Sequence, residues 1–133
     1  MLAWGPLLAV GGGAAVGAWI RWGLGAALNP LFPTLPLGTL AANLAGGLMM
    51  GLAIELITRH NVMPPELRLL ITTGFLGGLT TFSTFSGEIT TLLLRREWLW
   101  ALAGVAVHVV GSLLLTVLGI LMMRALFSWG GPS

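Results

Sequence analysis

Residues 74–88 read GFLGGLTTFSTFSGE, and this stretch decides how the chain folds. It combines four glycines with five hydroxyl side chains, three phenylalanines and one glutamate. Glycine and threonine are poor helix formers, so the stretch predicts a break in a helix, which we place between Gly77 and Thr81. The residues before and after it are apolar, so the break is expected at membrane depth.

The composition of the whole chain is that of a membrane protein. Of its 133 residues, 56% are hydrophobic and 8% are charged, and the mean hydropathy is +0.97. A soluble domain has about 25% charged residues. We therefore predict a single domain, residues 1–133, that is integral to the lipid bilayer. The six arginines form no basic patch, so no nucleic-acid partner is expected.

Four apolar segments predict an all-α fold with four transmembrane helices. They cover about residues 4–28, 37–58, 67–94 and 98–127. Each is long enough to cross a hydrocarbon core of about 30 Å at about 1.5 Å per residue. The six tryptophans fall near the segment ends, as expected at the lipid–water boundary. The first segment is expected to be a retained helix rather than a signal peptide, because no positive charge precedes its apolar run.

The arginines divide equally between the two predicted membrane faces. One face holds Arg59, Arg68 and Arg124, and the other holds Arg21, Arg95 and Arg96. Because topology follows the imbalance of Lys and Arg in short loops, this balance favours insertion either way up. It predicts a dual-topology, antiparallel homodimer, with a single fixed topology as the open alternative. Glycines at intervals of four on the first two helices fit close packing within the chain or between two copies.

Polar residues recur on two of the predicted helices. Asn43 lies in the middle of the second, and His108, Ser112 and Thr116 follow one another at intervals of four on the fourth. Such residues either hydrogen-bond one helix to another or line a water-filled path, and both interpretations remain open. A metal site at His108 is not expected, because no second histidine or cysteine stands near it.

The residues after the predicted break favour an anion. Phe82 and Phe85 are three apart and share one helix face, with Ser83 and Thr84 between them and Glu88 one turn later. Phenyl edges carry a partial positive charge, and hydroxyls donate hydrogen bonds. These are weak donors, from which an ion can leave again. The residues alone therefore predict a dimeric pore or carrier for a small anion.

The opening stretch, together with GTLAANLAGG at residues 38–47 and GAWIRW at residues 17–22, resembles the Fluc/CrcB family of small bacterial fluoride channels. The resemblance covers essentially the whole chain. It implies a fluoride-selective channel that passively exports F⁻ from the cytoplasm across the bacterial inner membrane. It also implies an antiparallel homodimer with two pores and a central structural Na⁺ that is not transported.

The resemblance also assigns residues. It implies a pore formed by Asn43, Phe82, Ser83, Thr84, Phe85, Glu88, Ser112 and Thr116. The Na⁺ ligands would be the main-chain carbonyls of Gly77 and Thr80. Arg21 would draw anions into a vestibule, with snorkelling to the membrane surface as the alternative. The chain departs from the family at Gly104, near which other members can carry a tyrosine.

Two other classes of function stay open in the sequence, whereas an enzyme is not expected, because no nucleotide-binding loop or covalent-catalysis motif occurs. A small dual-topology multidrug/proton antiporter would need a carboxylate in the first helix, where this chain has Arg21. A non-transporting assembly factor would need only the glycine faces.

Overall fold

The computed structural model describes residues 4–131, and the regular structure of these residues is helical. The α-helices are α1 Trp4–Leu28, α2 Leu37–Glu55, α3 Pro65–Leu69, α4 Gly77–Leu79, α5 Phe82–Leu94 and α6 Trp98–Trp129. A 3₁₀ turn, Asn29–Leu31, follows α1. Two π-helical stretches, Leu56–His60 and Leu70–Leu76, follow α2 and α3.

These elements join into four runs that are long and apolar enough to cross a membrane, as predicted. The runs are Trp4–Leu31, Leu37–His60, Pro65–Leu94 and Trp98–Trp129. The third run begins two residues earlier than predicted, because proline at the first turn of a helix has no N–H to satisfy. The second run gains a π-helical end and stops at Asn61, whose φ of 46° is left-handed.

The third run is interrupted within the predicted range. Helix α4 ends at Leu79 and α5 begins at Phe82, and Thr80 and Thr81 between them are extended, with ψ of 154° and 117°. Each threonine also serves a helix end. The Thr80 hydroxyl donates to the Leu76 carbonyl over 2.8 Å, and the Thr81 hydroxyl caps α5 by accepting from the Thr84 N–H over 3.1 Å.

Glycine faces bring the spans close together in two pairs, the first with the third and the second with the fourth. A Cβ atom on Gly17 of α1 would overlap the Phe75 carbonyl oxygen, and one on Gly51 of α2 would lie 2.8 Å from the Thr116 carbonyl carbon. Such backbone approaches need glycine, and they replace the hydrophobic driving force that helices lack in lipid. As a result, α1 lies against α4 and the π-helical stretch Leu70–Leu76, while α2 lies against α6.

An ion pair joins the far ends of α2 and α6. The Glu55 side chain is buried, and its Oε2 accepts from Arg124 Nε over 3.1 Å. The Arg59 guanidinium lies 3.6 Å from Oε1 of the same carboxylate. Beside this pair, the His60 ring stacks on Phe127 with centroids 3.6 Å apart. These contacts fix the register of the two helices at one membrane face.

Candidate functional site

The side chain of Asn43 on α2 holds the interruption of the third span. The Thr81 N–H donates to Asn43 Oδ1 over 2.7 Å, and Asn43 Nδ2 donates to the Thr81 carbonyl over 3.1 Å. The amide thus satisfies both peptide groups of an extended residue, as a neighbouring strand would. Since unsatisfied backbone groups are costly in hydrocarbon, this pair makes extended backbone tolerable at membrane depth.

A groove of about 460 Å³ runs along the break, between α2, α5 and α6. Seven of the residues predicted to bind ions line it: Asn43, Gly77, Thr80, Phe82, Phe85, Ser112 and Thr116. Phe82 is 78% exposed, so the groove is open on that side. His108, for which the sequence suggested no definite role, also lines the groove.

The two phenylalanines stand side by side in the groove. Their ring centroids are 5.5 Å apart, with an angle of 58° between the planes. Phe85 is buried and lies 4.7 Å from the His108 ring. Because Phe82 is exposed and Phe85 is not, the first ring forms the rim of the groove and the second forms its wall.

Most hydroxyls along the groove bond to the protein itself. The Thr116 hydroxyl has one proton, which it shares between the Gly47 carbonyl at 3.0 Å and the Ser112 carbonyl at 2.9 Å. The Ser112 hydroxyl has no hydrogen-bond partner among the described residues. In the polar stripe predicted on α6, the Thr116 hydroxyl therefore donates to the protein, and the Ser112 hydroxyl remains free to donate to a ligand.

A second cavity, of about 250 Å³, lies between α1, α2 and the start of α5. Its lining includes Arg21, Asn29, Thr39 and Thr84. Arg21 Nε donates to the Gly78 carbonyl over 3.0 Å, at the end of α4, where helix carbonyls carry partial negative charge. The Arg21 guanidinium thus stays beside the break, with further N–H groups left over for a ligand.

Glu88 and Ser83 line neither of these two cavities. The Glu88 carboxylate accepts from the Thr39 hydroxyl over 2.6 Å, which ties α5 to α2. The Ser83 hydroxyl lies 3.3 Å from the Thr81 hydroxyl at the start of α5. Both residues lie on α5 with the groove residues Phe82 and Phe85, and their contacts stabilise the helices that form the groove.

The break leaves carbonyl oxygens free. Within residues 4–131, no hydrogen bond reaches the carbonyls of Gly77 or Thr80. The same part of the chain contains no cluster of three or more His, Cys, Asp or Glu side chains that could hold a metal. Uncharged carbonyl oxygens are ligands for a hard cation such as Na⁺, so the free carbonyls fit the predicted ion better than any side-chain site described here.

Two residues of this region were not predicted. Thr39 precedes Asn43 by one helical turn, and this spacing could have placed it on the same face of α2. Asn29 accepts from the Gly38 and Thr39 N–H groups at the start of α2, over 2.7 and 3.2 Å. Nothing in the local pattern signals that contact, since the turn between α1 and α2 creates it.

Comparisons with known proteins show which family this chain belongs to. The family model described as "CrcB-like protein, Camphor Resistance (CrcB)" matches residues 8–120. A protein of Nitrosospira multiformis named "Fluoride-specific ion channel FluC" is 58% identical over 118 residues, which are 89% of this chain and 92% of that protein. Proteins with the same name from Aromatoleum aromaticum (93% of this chain, 92% of that protein) and Pseudomonas putida (86% and 90%) are 57% and 58% identical.

The Asn43 contacts predict a large effect from a nearly isosteric change. In Asn43→Asp an oxygen replaces Nδ2, which removes the hydrogen bond to the Thr81 carbonyl and sets two acceptors against each other. We expect a loss of about 1–3 kcal/mol in the free energy of unfolding. The measurement is the thermal unfolding of the purified protein in mild detergent.

The matched control is Asn29→Asp. Asn29 uses only Oδ1, an acceptor that aspartate retains, and the new charge stands at the favourable N-terminal end of α2. This variant should keep the stability of the parent protein. Equal unfolding temperatures for the two variants would contradict the role given to Asn43.

Proposed function

The chain belongs to the CrcB family, and on that premise we propose that it is a fluoride-selective ion channel and not an enzyme. One observation carries the proposal. The three relatives described above, each named a fluoride-specific ion channel, are at least 57% identical to this chain over at least 86% of its length. The four apolar helical runs support the multi-pass membrane location that a channel needs.

The groove along the break is the proposed fluoride path. Phenyl edges and the free Ser112 hydroxyl replace water that the ion loses, and each is weak enough to release it. The proposed pore residues are those that the sequence predicted: Asn43, Phe82, Ser83, Thr84, Phe85, Glu88, Ser112 and Thr116. Three of these residues shape the path, because their polar groups bond to other protein groups. Asn43 and Ser83 both bond to Thr81. Glu88 bonds to Thr39.

Arg21 is the proposed attractor of anions. Its single hydrogen bond to Gly78 fixes the guanidinium beside the second cavity without neutralising its charge. An unpaired positive charge raises the local concentration of anions. Arg21 lies outside the groove, so its charge can attract fluoride to the groove without holding the ion there.

The proposed assembly is an antiparallel homodimer with two pores. The groove is open beside Phe82, and a channel requires walls on every side. The equal division of arginines supports copies inserted in opposite directions, because neither orientation is favoured. A second copy would close each groove and leave two separate paths.

The proposed cofactor is a structural Na⁺ at the dimer axis. The unbonded carbonyls of Gly77 and Thr80 support it, because two copies would supply four such oxygens to one cation. The ion would stabilise the meeting of two interrupted helices. It would stay in place while fluoride passes.

The proposed direction of flow is outward across the bacterial inner membrane. The cell interior is negative, so each F⁻ that leaves gains about 2.3 kcal/mol per 100 mV. A passive channel therefore removes fluoride without an energy source. Nothing in the site requires a chemical step.

Proteoliposomes loaded with fluoride test the channel. We expect rapid, valinomycin-dependent F⁻ efflux without Cl⁻ efflux, and a strong loss of F⁻ efflux in Phe82→Ile or Phe85→Ile with the oligomer intact. Phe32→Ile is the control, because Phe32 packs on Trp100 away from the groove. Proton-driven uptake of a cationic dye would favour an antiporter. The absence of both fluoride efflux and dye uptake would favour a non-transporting assembly factor.

Single cysteines test the orientation, because the chain has none of its own. Val62→Cys and Glu97→Cys stand in loops on opposite faces. With dual topology, a membrane-impermeant maleimide should label about half of each variant in intact spheroplasts. Full labelling of one variant with none of the other would show a single fixed topology.

Removal of sodium tests the central ion. Exchange of Na⁺ for a bulky organic cation should lower the thermal stability of the purified oligomer and reduce fluoride efflux, and restored Na⁺ should recover both. Exchange for K⁺ at equal ionic strength separates a fitted site from general screening. Stability and efflux that are indifferent to rigorous Na⁺ removal would argue against the site.

A further inference from the structure

The hydrogen bonds of Asn43 fix the direction of its amide group. The Thr81 N–H can only donate, so the amide atom at 2.7 Å from it must be Oδ1. The other amide atom, Nδ2, then lies 3.1 Å from the Thr81 carbonyl and 3.1 Å from His108 Nδ1. Its two protons serve these two neighbours, one each.

The direction of the amide in turn fixes the tautomer of His108. Because Asn43 donates to Nδ1, this ring nitrogen must accept, and it carries no proton. The neutral ring then has its proton on Nε2. The extended backbone at Thr81 thus sets, through one amide, which nitrogen of an imidazole on α6 is a donor.

The Nε2–H group of His108 has no partner. The residue is 4% exposed, and Nε2 is buried without a hydrogen bond among the described residues. A buried donor left unbonded costs about 1–3 kcal/mol, so such groups are rare unless something binds them. The adjacent Phe85 ring, 4.7 Å away, cannot accept as an oxygen would.

Most other polar side chains of the groove already donate hydrogen bonds within the protein. Asn43, Thr72, Thr80, Thr81 and Thr116 each donate to a protein atom. Only the Ser112 hydroxyl and the His108 Nε2–H remain as uncommitted side-chain donors in the described lining. Of these, only the imidazole N–H is held in place by a further hydrogen bond, through Asn43.

We infer that His108 Nε2–H is an anion-binding group of the groove and donates directly to the permeating fluoride. This inference rests on the proposed function. A neutral N–H gives one hydrogen bond to the ion without the lasting attraction of a full charge, which suits a site that must release it. His108 would thus bind the ion, and Asn43 would position the imidazole ring.

Two substitutions separate the two nitrogens of the ring. His108→Gln places an amide N–H near the former Nε2 and keeps a donor there. His108→Asn keeps an acceptor near the former Nδ1 for Asn43 but reaches no farther. Loss of one hydrogen bond to an anion lowers the affinity for that anion about tenfold or more. We expect His108→Asn to lose fluoride efflux by that factor with parental thermal stability, and His108→Gln to retain most of it.

A spectroscopic measurement on the parent protein avoids the risk of unfolding a variant. The chain has two histidines, so ¹⁵N-histidine labelling gives few signals, and His108→Gln assigns them. We expect an unprotonated Nδ1 and a protonated Nε2 at His108. Added fluoride should shift the Nε2 signal saturably, and added chloride should not.

The outcomes distinguish this inference from the function on which it rests. A protonated Nδ1, or an Nε2 signal that ignores fluoride while the parent protein conducts it, would overturn the role of His108 alone. A fluoride-dependent Nε2 signal in a protein without fluoride efflux would support the binding group and overturn the channel. Equal efflux losses in the Asn and Gln variants would assign His108 a purely structural role.

Discussion

Two extended residues at membrane depth, held by one amide side chain, are the constraint on which the structure depends. Thr80 and Thr81 leave the helix in a place where water cannot satisfy their peptide groups. Asn43 supplies both a donor and an acceptor to Thr81, which a hydroxyl or an aliphatic side chain could not do in that geometry. The break is therefore a property of two spans together and not of the third span alone.

The packing around the break follows from the same constraint. Gly13 and Gly17 bring α1 against the backbone of the third span, and Arg21 on the same face reaches the end of α4. On the other side, the glycines of α2 bring that helix against α6, so that Asn43 touches His108. Close backbones thus place three polar side chains, from three spans, around one short stretch of extended chain.

The sequence predicted much of this, because hydropathy and residue type report local tendencies. Four apolar segments gave the four spans, and glycines followed by threonines placed the break within residues 77–81. Periodicity also placed Asn43 and His108 each on a helix face. It could not pair them, because the register between α2 and α6 is set by glycine contacts distant in sequence. For the same reason, the sequence did not show that Thr39 pairs with Glu88 or that Asn29 accepts from the start of α2. The π-helical turns were not predicted, and no local sequence signal marks them.

The state of the peptide groups at the break links the fold to the proposed function. Free carbonyls, a fixed amide and two phenyl rings meet there, and each depends on Thr80 and Thr81 being extended. Solid-state NMR of the protein in lipid bilayers measures this directly, through the ¹³Cα and ¹³Cβ chemical shifts of the two threonines. We expect strand-like shifts at Thr80 and Thr81 between helical shifts at Leu79 and Phe82. Helical shifts throughout residues 77–85 would contradict a break at these two threonines.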